Sequence, residues 1–514
     1  MNKKLPIVCF IILGFTLIYL ISKSKVKTYE AKWNDNNTLA ITIDGEISTT
    51  FPTTNAYEGI VTCTTGTGSV SWNGSKWVLT TSGITKGSTK CNATFYKPLY
   101  KDILADNEVK TPLTTLGAEV SAYTLNDVTT TSSTSVSSTY QSYYVTYGTG
   151  WEANGTKFNL TGAAVTTDTY ANSYQNLSGK YLPYSSISSS GSSLAGTKKT
   201  TTNLSSVYYV VSATSSSFTY KIIGSNKNTT EALLASTEDD YGTSYYFRGT
   251  VTNNYVEFAN KCWRIVRIGG NNTVKLILHN DNISNASNPC SSANNSTTAA
   301  FAHYNGSTNI SRFNSSYNDN AYVGFMYGTA GSTTYEATHA NTNKSTILTN
   351  LETWYNNNLK TYESVIDDNV FCNDKNVSGS GLGYGANTTY YMAFARLNSN
   401  KTPSLKCNGE LSKITSKIGL ITADELVYAG YTTGLYNTGT YLQENATGDY
   451  WWSLSPSSFI GSYTNVFYLN GGRGILDNVN VYNAFGLRAY ISLRSSTKVS
   501  SGTGTSEDPY IVSV

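Results

Sequence analysis

The spacing of the cysteines constrains this chain more than any other feature of its sequence. Six of the seven cysteines lie in the body of the chain, with no Cys-x-x-Cys pair and no histidine at zinc-site spacing, so metal ligation is disfavoured. Neighbouring cysteines are 28, 28 and 35 residues apart, and each pair would close one local loop. The alternative is that all six are reduced, buried thiols. We predict three disulfides: Cys63 with Cys91, Cys262 with Cys290, and Cys372 with Cys407.

The N-terminus carries an apolar run from Pro6 to Ile21, preceded by Lys3 and Lys4. Its length is close to the lower limit for a helix that spans a membrane. We expect residues 1–27 to be a membrane anchor or a signal segment, giving one N-terminal span in the cell membrane and an extracellular bulk. Cleavage near Ser24 would instead give a secreted protein. The expected partners are therefore the membrane, through this helix, and an extracellular molecule.

Charge is scarce along the chain. Lys and Arg total 36 against 33 Asp and Glu, so the formal net charge is +3 and charged residues make up 13%. A nucleic-acid partner is not expected, because such proteins carry concentrated basic surfaces.

Signals for catalysis are weak in this sequence. The histidines, His279, His303 and His339, form no HExxH motif and do not accompany a serine nucleophile motif. Three aspartates between residues 367 and 374 could offer oxygen ligands to calcium, although a solvated helix end and loop is the favoured interpretation. We therefore predict no enzyme activity, no cofactor and no metal site.

Short alternating segments with turn signals predict a chain of several domains. Residues 28–110 are interpreted as a disulfide-closed β module, in which Asn73-Gly74 marks a hairpin. Residues 111–139 are rich in Ser and Thr and are interpreted as a linker. Residues 140–230 are interpreted as an inserted β module, and residues 231–514 as a third domain that also contains helices.

Two helices are specified by local signals in the third domain. Ser345 opens a periodic segment of about five turns with apolar side chains on one face. Thr422 and Glu425 form a capping box, in which the Thr hydroxyl meets the N3 amide and the Glu reaches back. Gly486 begins an amphipathic strand that is expected to close a core.

From Ala235 onward, the chain carries the segments YYFRGTVTNNYVEFANKCWRIVRI, IGLITADELVYAG, YWWSLSP and GLRAYISL. In these it resembles uncharacterised surface proteins of low-GC Gram-positive gut bacteria. Its second half also resembles the C-type-lectin-like fold of the formylglycine-generating-enzyme type, where a helix opening with T-x-x-E precedes a Trp-rich strand and the domain closes on a G-x-R strand. The activity of those enzymes is not carried over, because the cysteines here fall at disulfide-like spacings.

The residue patterns predict a multidomain chain, with an N-terminal membrane helix, two small all-β modules and then a mixed α/β domain. The resemblance implies that this last domain is C-type-lectin-like.

In C-type-lectin-like folds, ligands commonly meet the irregular segment before the last strand, here Ser455 to Phe485. This segment is rich in Tyr, Asn, Ser and Gly, which are typical of adaptable recognition surfaces. The candidate ligand-binding residues are Tyr463, Tyr468, Asn470, Arg473, Asp477, Asn478, Asn480, Tyr482 and Asn483.

These observations predict a cell-surface recognition protein, adhesin-like, that binds a glycan or a protein through its C-terminal domain. The alternative is a non-catalytic structural component of the cell envelope or surface layer. An enzyme acting on a surface polymer is a third, less favoured interpretation.

Overall fold

A computed structural model describes most of the chain. Side chains are described for residues 36–112 and 232–513, apart from 436 and 438, and the strand at residues 30–33 is described as backbone. Between residues 124 and 224 the structure describes eight strands, mostly as backbone. Contacts divide the chain into two compact units, Met1–Lys101 and Asp102–Val514, which are described separately.

The first unit is built around a five-stranded sheet in the order β1-β2-β7-β4, and it also contains a separate β5–β6 hairpin. The fifth strand of the sheet, β3, pairs with the second half of β2. The indole of Trp77 packs between Trp72 and Phe95, with ring centroids 5.9 and 5.1 Å away. The predicted hairpin at Asn73-Gly74 is confirmed, because it joins β5 to β6. The strands are β1 Glu30–Trp33, β2 Asn37–Ile43, β3 Glu46–Ser48, β4 Glu58–Cys63, β5 Thr67–Trp72, β6 Trp77–Ser82 and β7 Lys90–Tyr96.

The second unit begins with an eight-stranded sheet in the order β11-β10-β8-β15-β14-β13-β9-β12. The first of these strands in the chain, β8, lies within residues 111–139, which were expected to be a linker. The strands are β8 Thr124–Ser132, β9 Thr139–Val145, β10 Trp151–Ala153, β11 Thr156–Phe158, β12 Val165–Ala171, β13 Tyr181–Pro183, β14 Val207–Ala213 and β15 Phe218–Gly224.

The rest of the second unit contains many more strands, several of them only two or three residues long. In chain order they are β16 Leu233–Asp239, β17 Gly242–Arg248, β18 Tyr255–Phe258, β19 Lys261–Ile268, β20 Val274–Asn280, β21 Ile310–Arg312, β22 Met326–Tyr327, β23 Asn343–Lys344, β24 Asn369–Cys372, β25 Val377–Ser378, β26 Thr389–Tyr391, β27 Lys413–Ser416, β28 Tyr450–Ile460, β29 Tyr463–Asn470, β30 Ile475–Asn480, β31 Ala484–Gly486, β32 Tyr490–Leu493, β33 Lys498–Ser501 and β34 Tyr510–Ser513.

These strands form two larger sheets and two small ribbons. The first of these larger sheets has eight strands in the order β16-β17-β19-β18-β34-β33, and β20 pairs with both β19 and β32. The seven-stranded sheet follows β21-β31-β28-β26-β25, with β29 pairing with both β28 and β30. The ribbons are β22–β23 and β24–β27. Every residue of β19 and β20 is buried, so these two strands form the centre of the core.

Helices in the described part of the chain are short. The α-helices are α1 Leu99–Asp106, α2 Tyr335–His339, α3 Thr346–Asn358, α4 Met392–Phe394 and α5 Ala423–Ala429. The 3-10 turns are Ser292–Asn294, Asn320–Val323, Lys360–Tyr362 and Glu410–Ser412, and a π-helical turn covers Ala395–Asn400.

Both predicted helix starts are confirmed. The Ser345 side chain accepts a hydrogen bond from the Leu348 N–H and begins α3. Thr422 and Glu425 form the complete capping box at the start of α5. Local signals of this kind act within one turn, which is why they could be identified without knowing the fold.

The expected fold class is wrong. The structure is 39% strand and 15% helical and contains several sheets, and the described residues show no α/β lectin domain. The capped helices are real but only 13 and 7 residues long, too few and too short to form a helical layer. Strand pairing between distant segments, which local patterns do not specify, dominates the domain instead.

The expected N-terminal span in the cell membrane is also not supported. Among the described residues, no helix is long and apolar enough to cross a membrane, which requires about 20 apolar residues. Residues 1–29 lie outside the described part of the chain.

The three predicted disulfides are confirmed, with Cys63 bonded to Cys91, Cys262 to Cys290 and Cys372 to Cys407. Cys63 and Cys91 lie directly opposite each other on β4 and β7. Each bridge closes a loop within one unit, as their spacing predicts.

Candidate ligand-binding surface

The segment that the sequence analysis expects to be irregular is mostly strand. It covers the second half of β28, the hairpin β29–β30 and β31. The β28–β29 ladder shifts register on either side of Pro456, whose ring removes a backbone donor. The segment is therefore a sheet surface, and its side chains divide between two faces.

Strand pairing decides which candidate residues share a face. Tyr468 lies opposite Asp477, and Asn470 lies opposite both Tyr450 and Ile475. Because alternate residues of a strand point to the same side, these side chains lie on one face.

Asn478 and Asn480 lie on the opposite face of the hairpin. Asn478 pairs with Phe467 and Asn480 with Asn465, one position out of phase with Tyr468. Phe467 is completely buried, so this face is turned toward the core. The predicted residues therefore do not form one set.

A first group of aromatic rings covers the face that carries Tyr468. The Tyr450 ring lies 5.6 Å from the Tyr468 ring and 5.1 Å from the Phe485 ring. The rings of Tyr468 and Phe485 are 5.3 Å apart, and Phe485 also packs 4.8 Å from the buried Trp452. Burial raises the pKa of Tyr468, with a smaller contribution from the Asp477 carboxylate, so its hydroxyl remains a neutral hydrogen-bonding group.

A second group of rings lies near the start of β29. Tyr317 stacks on Tyr463 with centroids 5.6 Å apart, and it meets the Tyr482 ring edge-on at 5.4 Å. Its position is set by Thr464, which donates both its backbone N–H and its hydroxyl to the Tyr317 carbonyl, each at 2.8 Å. The guanidinium of Arg312 lies 3.6 Å from the centre of the Tyr482 ring.

We call the two groups together the aromatic strip. Three of its rings are well exposed: Tyr450 at 41%, Tyr463 at 49% and Tyr482 at 40%. Arg312 is exposed, and among the described residues its guanidinium has no carboxylate partner. The members of the strip are Arg312, Tyr317, Tyr450, Tyr463, Tyr468, Tyr482 and Phe485.

The structure brings together some of the predicted residues and separates others. Tyr463, Tyr468 and Tyr482 belong to the strip, and Asn470 and Asp477 share the face of Tyr468. Arg473 and Asn483 lie in the turns after β29 and β30.

Four members of the strip, Arg312, Tyr317, Tyr450 and Phe485, were not among the residues predicted from the sequence. Tyr317 lies 147 residues before Thr464, and Arg312 lies about 170 residues before Tyr482, so no local pattern pointed to them. Tyr450 lies just before the expected ligand-binding segment, Ser455 to Phe485. A predicted pairing of its strand with the strand of Asn470 would have identified it.

Other aromatic and cationic groups near the strip are structural. Trp451 and Trp452 are both fully buried. The buried Arg488 donates from Nε to the Leu278 carbonyl and from an Nη to the Leu442 carbonyl, at 2.9 and 2.7 Å. Arg488 therefore braces the fold.

Comparison with known proteins identifies no relative: no family model, no curated protein and no solved structure matches this chain.

Proposed function

We propose that this protein is a non-catalytic recognition protein that binds a glycan or a protein surface through the aromatic strip. A single observation carries the proposal, namely that each of the exposed rings of Tyr450, Tyr463 and Tyr482 belongs to a group of rings that contact one another. Exposed large aromatic side chains that cluster in this way are typical of binding surfaces.

The chemistry of the strip favours a glycan. Aromatic faces pack against the apolar faces of sugar rings, and Tyr does so with few rotamers to immobilise. Asn470 and Asp477 lie on the same face and can exchange hydrogen bonds with sugar hydroxyls. Arg312 adds up to five N–H donors beside Tyr482.

The disulfides support a protein that works in an oxidising environment. Three bridges in one chain are typical of proteins exported from the reducing cytosol.

A structural component of an envelope is the second candidate function. It is favoured by the contacts among the rings themselves, since Tyr317 and Tyr463 stack on each other and Arg312 covers one face of Tyr482. In that case the strip would stabilise the sheet rather than meet a ligand.

The test compares a double variant with a single control variant of the protein on glycan and protein arrays. We expect Tyr463→Ala with Tyr482→Ala to weaken binding by at least about 2 kcal/mol, the scale of an interface hot spot. The control is Tyr390→Ala, because Tyr390 is 38% exposed on β26 of the same sheet and also packs on an aromatic ring, Phe394, at 4.8 Å. Equal binding by parent and double variant, with both folded, would favour the structural component.

A further inference from the structure

A small polar cavity, which shares no lining residue with the aromatic strip, lies against the central strands β19 and β20. Its volume is about 50 Å³, enough for roughly three or four water-sized groups. The exposed residues Asp240, Tyr241 and Lys406 also line it, so it opens to solvent. Its buried lining includes Lys275, Asn369, Tyr490, Asp239, Asp374, Asp424, Glu425 and Arg267, with the largely buried Arg396 beside them.

Two arginines bind the carboxylates of this lining. Arg267 donates to Glu425 and to Asp239, each at 2.8 Å. Glu425 accepts a further hydrogen bond from the Tyr490 hydroxyl at 2.8 Å, and its second oxygen accepts from the Thr422 N–H. The other arginine, Arg396, binds the two remaining buried carboxylates of the lining.

Arg396 binds Asp424 through two nitrogens, at 2.8 and 2.6 Å, and reaches Asp374 at 2.7 Å. The Asp424 carboxylate also accepts from the Ser404 N–H at 2.9 Å. The acceptors in the lining are therefore largely occupied by the protein's own donors.

Two donors in the lining are left without acceptors. Within the described residues, the Lys275 ammonium makes no hydrogen bond and no ion pair within 4 Å, although the side chain is only 5% exposed. The side-chain amide nitrogen of Asn369 is buried and also has no partner. An unpaired buried donor such as the Asn369 amide nitrogen is costly, so a group that supplies an acceptor oxygen would be stabilised in this cavity.

The charge balance disfavours an anion, and the free donors call for a ligand that carries an acceptor oxygen. Four buried carboxylates face three cationic side chains, an excess of one negative charge even when Lys275 is protonated. An anion would be repelled, whereas a neutral carbonyl oxygen can accept from both free donors.

We propose that this cavity binds a small neutral carbonyl compound, an aldehyde or ketone, and that the Lys275 amine captures it as an imine. The amine nitrogen attacks the carbonyl carbon and forms the C=N bond. The carbonyl oxygen leaves as water and takes both amine hydrogens with it. Hydrolysis reverses the capture, so no oxidant or reductant is needed.

The protonation of Lys275 suits this chemistry. Burial, assisted by the nearby Arg267 guanidinium, lowers its pKa to about 7. A lysine that is desolvated and beside another cation is an activated nucleophile, because a large fraction of its amine is unprotonated at neutral pH.

Lys375 provides a matched control within the same unit. Burial lowers its pKa to about 7 as well. Its ammonium, however, donates to the carbonyls of Met326 and His339 and to the Asn341 side-chain oxygen, at 3.0, 2.7 and 2.6 Å. The two lysines differ in geometry rather than in pKa.

The experiment traps the imine in the full-length protein. Glycolaldehyde and sodium cyanoborohydride are added at pH 7, and the modified lysines are identified by peptide mapping. We expect Lys275 to be labelled at least about tenfold faster than exposed lysines, whose amines are almost entirely protonated at this pH. Lys375 should remain unlabelled, and benzaldehyde, which is too large for the cavity, should spare Lys275.

Two outcomes would overturn the proposal. Labelling of Lys275 no faster than that of exposed lysines means that the amine does not react from the cavity. Equal labelling of Lys275 and Lys375 means that opening of the fold, rather than the cavity, exposes both amines. The variant K275M should lose only this one label, which assigns the modified peptide.

Discussion

Arg267 on β19 and Glu425 in the capping box of α5 are joined by a hydrogen bond of 2.8 Å, although 158 residues separate them in the chain. Both side chains are at least 91% buried. Glu425 therefore caps its own helix with one oxygen and binds the core sheet with the other. Burial alone would raise the pKa of Glu425, but Arg267 and Lys275 outweigh this effect and lower it.

Replacing Arg267 by Met should strongly destabilise the second unit. The change leaves Asp239 and Glu425 buried without their shared cation, and breaking a buried pair of this kind costs about 3 to 5 kcal/mol. Urea unfolding measures the loss. The control K344M breaks only the surface pair with Glu352 and should cost less than about 1 kcal/mol. Similar losses in the two variants would show that the buried network does not stabilise the fold.

Thr422→Ala should cost about 1 kcal/mol through loss of the α5 cap. The Thr422 hydroxyl accepts from the Glu425 N–H at 3.1 Å, and alanine offers no acceptor there. Thr422→Ser retains the hydroxyl and should restore most of the stability. A thermal unfolding midpoint that falls equally for both variants would instead point to the lost methyl group.

The stability of the protein should rise with pH above neutrality, in part because of Lys275. Its pKa is about 7 in the folded state and near 10.4 when unfolded, so between these values the unfolded chain binds the extra proton. Protonation thus favours unfolding, and Lys275 alone should add about 2 kcal/mol of stability between pH 7 and pH 9.

K275M should remove this part of the pH dependence. The charged groups that act on Lys275 are Arg267, Glu425, Asp239 and Asp367, and they remain in the variant. Lys375 also remains, so a smaller rise should persist. Urea unfolding at pH 7 and pH 9 checks the difference, and parallel pH curves for parent and variant would contradict it.

Arg312→Met should reduce binding to the aromatic strip without unfolding the sheet. Arg312 is exposed and contacts the Tyr482 ring, but the ring is also held by Tyr317. We expect weaker binding to arrayed glycans by about 1 kcal/mol, the scale of a cation–π contact or one hydrogen bond, and little change in the thermal midpoint. Unchanged binding would exclude Arg312 from the ligand contact.

Features that depend on neighbouring residues could be predicted from the amino-acid sequence. The disulfide partners follow from short loops, the Asn73-Gly74 hairpin from its turn residues, and the starts of α3 and α5 from their capping side chains. Each of these features forms within one helical turn, one hairpin or one loop, where the chain can adopt few other conformations.

The class of fold and the residues of both sites depend on contacts between segments that are far apart in the chain. Two correctly predicted helices did not make an α/β domain, because pairing between distant strands determines the layers. The strip depends on Tyr317 lying against Thr464, and the cavity on Lys275 of β20 and Asn369 of β24 facing the same space. Such contacts come from the register of strands far apart in the chain, and a shift of one residue would turn each side chain to the other face.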